Sequence, residues 1–179
     1  MNSSQFDAIA NQCAPFVAAS TLRAIARVES NFNPFAIGVV DSRLSRQPKT
    51  LLEGISSAAS LERKGAKFSA GLVQIYVKNW SSLGLDYETV FDPCRNLTAA
   101  QTILSDCYQR ARQKTSAPQV ALRQSISCYY SNNFVTGFRV GYVQKVVAAH
   151  AHALQTRSSI PMNPIRPISP APFVSSASL

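Results

Sequence analysis

Apolar residues along this chain recur mostly at helical spacing. Leu22, Ile25 and Ala26 share one face of a predicted helix that Ser20 can cap and that Asn31, Asn33 and Pro34 break. Thr50 followed by Glu53 has the pattern of a capping box, opening a helix predicted to stop around Gly65. Asp92-Pro93 opens another, with an apolar face running through Leu97, Ala100, Leu104, Cys107 and Ala111. Pro118 starts a further helix with Leu122, Ser125, Ile126 and Tyr129, and Val143, Val146, Val147, His150 and Leu154 mark the last. The short apolar runs Ala36 to Val40 and Gly71 to Val77 read as strands too brief to anchor a large sheet. The pattern predicts a mainly α domain with a small β element and no internal repeat.

At the C-terminal end the pattern dissolves. Five of the ten prolines fall between Pro161 and Pro172, among serines and with few charges, which is linker or tail composition. The folded domain is therefore expected over 1–155 and a Pro/Ser-rich tail over 156–179. With 179 residues, 46% of them hydrophobic, the chain can bury one respectable core. No apolar stretch approaches the length of a membrane span, and the N-terminus is a poor signal peptide: its first basic residue is Arg23, and Asn11, Gln12 and Pro15 interrupt the apolar region.

The formal charge of +9 favours anionic partners without choosing among them. The basic residues are scattered and carry no aromatic-interleaved stripe, so nucleic acid is not expected as a partner. Cys13, Cys94, Cys107 and Cys128 lack CxxC spacing, and His150 and His152 are the only histidines, so neither a metal nor another cofactor is expected. An even cysteine count suggests disulfides and an oxidising compartment, with buried thiols as the alternative. A continuous helix would hold Cys94 and Cys107 about 20 Å apart at ~1.5 Å per residue, which disfavours that pair. Cys107 and Cys128 fall on consecutive helices at similar distances from their connecting loop, so the favoured pairing is 107 with 128 and 13 with 94.

One acidic residue stands out by position. Glu29 follows Ile25 and Leu22 at helical spacing, which puts its carboxyl on an apolar stripe, and it lies in the last turn, where the helix dipole disfavours negative charge. Both effects favour the neutral acid, the form that can protonate a glycosidic oxygen. The plain alternative is a Glu at a helix end reaching for water.

Its company decides between these readings. Ala26-Arg27-Val28-Glu29-Ser30-Asn31-Phe32-Asn33-Pro34-Phe35-Ala36, then Gly71-Leu72-Val73-Gln74-Ile75, then Asn96-Leu97, then Tyr129 and Tyr142, resembles the soluble lytic transglycosylase family in motif and order over roughly residues 13 to 150. The likeness is strongest to the transglycosylases of type IV secretion systems, on VESNFNPFAIGV, FDPCRNL and CYYSNNFVTGFRVGYVQKV. The resemblance implies a lysozyme-like α+β fold with the β element beside an active-site groove, a peptidoglycan substrate, a periplasmic location and a role in opening the cell wall for a secretion apparatus, whose components the tail would contact. It implies that Glu29 is the catalytic acid/base and cleaves the bond between N-acetylmuramic acid and N-acetylglucosamine with a 1,6-anhydro product. Ser30 would position the acid or a sugar group, Gly71 would let backbone approach the glycan, and Gln74, beside Ile75, would bond near the acid and the acetamido group. Tyr129 would donate its hydroxyl to Glu29, and Tyr142 would line the groove. The sequence departs from the family pattern at Tyr130, where Asn is usual, at Asn132, where Gly is usual, and at Val73, where Met is typical. Tyr130 would replace the amide's contacts with substrate or narrow the groove.

Two other readings compete. A hydrolytic muramidase would pair Glu29 with a second carboxylate, for which Asp41 is the candidate, unless Asp41 is simply a solvated loop residue. A non-catalytic glycan-binding or assembly protein would use the altered groove for anchorage.

Overall fold

A computed structural model describes residue 1 and residues 3–158. Seven α-helices are seen among them: α1 (Ser3–Cys13), α2 (Ala19–Glu29), α3 (Leu51–Arg63), α4 (Pro93–Arg112), α5 (Pro118–Ser131), the short α6 (Thr136–Arg139) and α7 (Tyr142–Ser158). Strands β1 (Ile37–Val39), β2 (Phe68–Ala70) and β3 (Ile75–Tyr76) form one antiparallel sheet in the order β1-β2-β3, with Ile37 opposite Ala70 and Ala70 opposite Ile75. The expected mainly α domain with a small β element is the one observed.

Local chemistry explains most boundaries. Asp92 caps α4 by accepting from the Arg95 N–H at 2.8 Å, with Pro93 in the first turn. Thr50 caps α3 through the Glu53 N–H, but Glu53 does not close the reciprocal half of the box. Its carboxylate takes the Lys49 N–H at 2.8 Å and a two-pronged contact from Arg46 instead. Ser20 is not a cap: α2 begins one residue earlier, after Ala18, which makes no side-chain capping bond. The Gly71 to Val77 run is not one strand. Gly71 (φ +85°) and Gln74 (φ +57°) are both left-handed, which no extended strand accommodates, so 71–74 is the turn between β2 and β3.

The core forms where α2 meets the other helices. Leu22 and Ile25 of α2 are fully buried together with Phe6, Leu97 and Leu72, and Ile126, Val143 and Val146 join the same cluster. Helix α2 packs against α7 and α1, and α4 lies along α5. The ion pair Arg23–Asp7 (2.8 Å) bridges α1 and α2 with both side chains largely shielded. Two disulfides pin the helices: Cys13–Cys94 ties the end of α1 to the start of α4, and Cys107–Cys128 ties α4 to α5, with Cα atoms 5.3 and 5.8 Å apart. This is the pairing favoured from helix geometry. The domain boundary expected near 155 falls inside α7, and the rest of the expected tail lies outside the described residues. No described helix is long and apolar enough to cross a membrane.

Candidate active site

Glu29 closes α2 on the buried side of that helix. Beyond it the chain reverses through Asn31 (φ 50°) and Phe32 (φ 64°), and Phe32 packs edge-on against the core residue Phe6. This reversal leaves the carboxyl at the edge of the core, where burial pushes it up to about 7 despite a hydrogen bond that acts in the opposite direction. That bond comes from Tyr142, the first residue of α7, whose hydroxyl donates to Glu29 Oε1 at 2.5 Å. Burial first, and then the nearby Glu29 charge, raise the Tyr142 phenol well above its ordinary value, so it stays a proton donor in the hydrogen bond.

The hydroxyl donation to Glu29 expected from Tyr129 comes from Tyr142 instead. Tyr129 is half-buried and its hydroxyl turns inward, donating to the Val73 carbonyl at 2.6 Å and holding the 71–74 turn against α5. The sequence could not separate the two phenols, because which of them meets Glu29 depends on how α5 and α7 lie against α2.

Ser30 ties the end of α2 to the same turn, donating to the Leu72 carbonyl at 2.6 Å. Gly71 faces the interior rather than an open surface. A Cβ there would stand 2.2 Å from Asn96 Nδ2 and 2.3 Å from the Val90 carbonyl, so the close neighbour that demands glycine is Asn96. Asn96 is buried, accepts from the Val73 N–H (2.9 Å), and donates to the Val90 (2.8 Å) and Ala70 (3.3 Å) carbonyls. In the sequence it stood only as the start of a helix; its signal was a full amide at a position one turn into an apolar helix. Both amide hydrogens of Gln74 are held inside the protein, by the Ala36 (3.0 Å) and Gly71 (2.8 Å) carbonyls, while its Oε1 lies close over Gly38.

A groove of about 980 Å³ runs past these residues. The sheet contributes Gly38, Val39, Ser69, Ile75 and Tyr76; α4 contributes Thr102, Ile103, Asp106 and Arg110; the end of α5 contributes Tyr129, Tyr130 and Asn132. Glu29 and Gln74 also line it. Ser30, Gly71 and Tyr142 stand behind the surface. The other carboxylate on the lining, Asp106, is paired with Arg110 at 2.9 Å. Asp41 is exposed in the turn after β1, with φ 58°, and does not line the groove. Asn132 ends α5 in the left-handed conformation (φ 56°) that glycine adopts most readily, and its side chain accepts from Arg110 at 3.2 Å. This departure leaves the backbone path available.

Residues 7–133 match the transglycosylase SLT domain family. The chain belongs to that family. The chain is 48% identical over 163 residues to the type IV secretion system protein virB1 of Brucella suis biovar 1 (strain 1330), covering 88% of this chain and 68% of that protein. To the protein of the same name from Brucella abortus biovar 1 (strain 9-941) it is 51% identical over 150 residues, covering 80% and 63%. To protein virB1 of Rhizobium radiobacter it is 39% identical over 153 residues, covering 83% and 62%. The chain thus spans roughly two thirds of the length of these relatives. No solved structure matches it. The expected enzyme class, lytic transglycosylase, is that of the family, and the helical domain with its sheet beside the groove is the expected lysozyme-like arrangement.

Proposed function

We propose that the chain cleaves the β-1,4 bond between N-acetylmuramic acid and N-acetylglucosamine in peptidoglycan, releasing a 1,6-anhydro end, and that it does so in the periplasm to open the wall for a type IV secretion apparatus. The observation that carries this reading is Glu29, held by Tyr142 with its carboxyl titrating near 7 and with no second unpaired carboxylate on the groove lining. Near neutrality such an acid is available in both protonation states, as a single group serving first as acid and then as base requires.

Protonated Glu29 gives its proton to the glycosidic oxygen as the bond from C1 breaks. The resulting carboxylate, steadied by the Tyr142 hydroxyl, accepts the proton of the sugar's own 6-hydroxyl while that oxygen closes onto C1. One bond breaks, one forms, the proton returns to Glu29, and no water is consumed. A hydrolase with two working carboxylates lacks support in this groove, since Asp106 is engaged by Arg110 and Asp41 stands outside. Ser30, Tyr129 and Gly71 act through the 71–74 turn, holding it against α2, α5 and Asn96. Gln74, its N–H groups occupied, offers Oε1 to an acetamido N–H. The +9 charge aids capture of an anionic wall polymer and weakens with salt. Secretion-system contacts through the Pro/Ser-rich tail would involve residues outside those described.

Digestion of purified peptidoglycan by wild type and Glu29→Gln, with soluble products analysed by mass spectrometry, tests the reading. Anhydro-muropeptides from wild type alone are expected; reducing ends, or no product from folded wild type, would overturn it.

A further inference from the structure

The residue that departs most from the family pattern, Tyr130, sits over the acid's own support. Its ring stacks on that of Tyr142 with centroids 4.6 Å apart and planes 25° from parallel. Tyr142 is only 5% exposed, whereas Tyr130 is 50% exposed and lines the groove. One face of the Tyr130 ring therefore covers the phenol that holds Glu29, and the opposite face is turned to the groove. Its backbone is fixed from both sides: Tyr129 is bonded to Val73, and Asn132 ends the helix with its N–H on the Cys128 carbonyl at 2.6 Å. A ring so placed changes rotamer only by losing its contact with Tyr142.

The geometry points to Tyr130 as a stacking platform for the pyranose ring of an N-acetylated hexosamine, in the sugar position next to Glu29. The C–H groups on one face of a pyranose carry partial positive charge and meet the negative face of an aromatic ring, while the ring's area is removed from water. The family's asparagine would offer hydrogen bonds at this position; the phenol offers a flat surface. A sugar on the outer face would also seal Tyr142 and Glu29 from solvent, so substrate occupancy and the dryness of the acid are linked through one side chain. This inference rests on the reading of Glu29 as the acid, and it adds the means by which a sugar ring is held beside it.

The test uses the Glu29→Gln chain, which removes turnover, and a soluble tetramer of β-1,4-linked N-acetylglucosamine as probe. Binding and the ligand's proton resonances are measured by NMR. Glu29→Gln alone and combined with Tyr130→Phe should bind the tetramer with upfield ring-current shifts on the sugar C–H protons. Combined with Tyr130→Ala or Tyr130→Asn, those shifts should vanish and affinity should fall about 3- to 10-fold, the range of an aromatic stacking contact. Circular dichroism establishes that each variant is folded, and two unlike replacements guard against the collapse of one. Unchanged shifts and affinity in both non-aromatic variants, or no ring-current shift with Tyr130 in place, would overturn the platform. Wild-type digestion of peptidoglycan run in parallel separates the two ideas: anhydro products without a Tyr130 effect sink the platform alone, and a Tyr130 effect without products sinks the catalytic reading alone.

Discussion

The Tyr142 hydroxyl donates to Glu29 Oε1 across 2.5 Å, joining the first residue of α7 to the last of α2. Two helix ends that are far apart in the chain thereby share one proton-donating contact, and the acid's behaviour depends on how those helices pack. Tyr142→Phe should lower the rate of glycan cleavage about 10- to 100-fold, since a hydrogen bond to a charged group is worth about 1.5–3 kcal/mol. Because the phenol holds the Glu29 pKa down against burial, its removal should move the alkaline limb of the pH–rate profile upward. Tyr129→Phe should leave that limb in place and lower stability by about 1–3 kcal/mol, as the Val73 carbonyl loses its partner. Initial rates across pH and thermal melts of both variants check the division of roles.

Activity should decline as pH rises through about 7, where Glu29 loses the proton it donates. The same group lowers stability in a defined window. Its folded pKa lies above the unfolded value, so between 4.5 and about 7 the native state holds a proton that the unfolded chain has released, and stability falls as pH rises. The displacement corresponds to about 3 kcal/mol in total. Glu29→Gln should therefore be inactive yet melt higher than wild type at pH 8, with the difference shrinking as pH falls from about 7 and lost below 4.5. Equal melting temperatures at pH 8 would contradict a buried, ionisable Glu29.

Gly71 and Asn96 form one unit. Gly71→Ala should destabilise by several kcal/mol, because the added Cβ meets the Asn96 amide and the Val90 carbonyl in a left-handed backbone. Asn96→Leu should cost about 3 kcal/mol or more, leaving the Val73 N–H and the Val90 carbonyl without their bonds. Since the shared contact is broken by either change, the double variant should fall short of the sum, which denaturant unfolding of the three variants measures.

The disulfides differ in the loops they close. Cys13–Cys94 spans 81 residues of sequence and Cys107–Cys128 spans 21, so loop-closure entropy assigns about 4.5 and about 3.3 kcal/mol respectively. Replacing the first pair by serines should lower the unfolding free energy more than replacing the second. The second pair lines the groove and anchors the helix bearing Tyr129 and Tyr130, so its loss should weaken glycan binding more than the first does. Melts and tetramer titrations of the two double-serine variants give both orders.

Much of this was legible because it is local. Helical periodicity, the Asp92 cap, proline at helix starts and the placing of Glu29 on an apolar stripe depend on residues within a turn or two of each other, and the chain carries them openly. The disulfide pairing was within reach for the same reason, since a straight helix sets how far apart its own cysteines stand. Helix α1 went unread: its apolar residues Phe6, Ile9 and Ala10 are few, and much of its face is small or polar. The strand expected from Gly71 onward failed because an apolar run does not reveal left-handed backbone at Gln74, a residue without glycine's freedom.

By itself, the sequence determined that this is a mainly helical domain with a small sheet, that it belongs with the lytic transglycosylases, and that Glu29 sits on the apolar stripe of its helix. Local propensity and ordered motifs are properties of neighbours in the chain, and they survive without knowledge of packing. Only the tertiary structure decided which tyrosine serves the acid, that Gly71 makes room for Asn96, and that Tyr130 lies on Tyr142. Each is a contact between elements brought together by burial of a shared core, and the relative placing of helices is set by how their side chains interlock, which no single segment specifies.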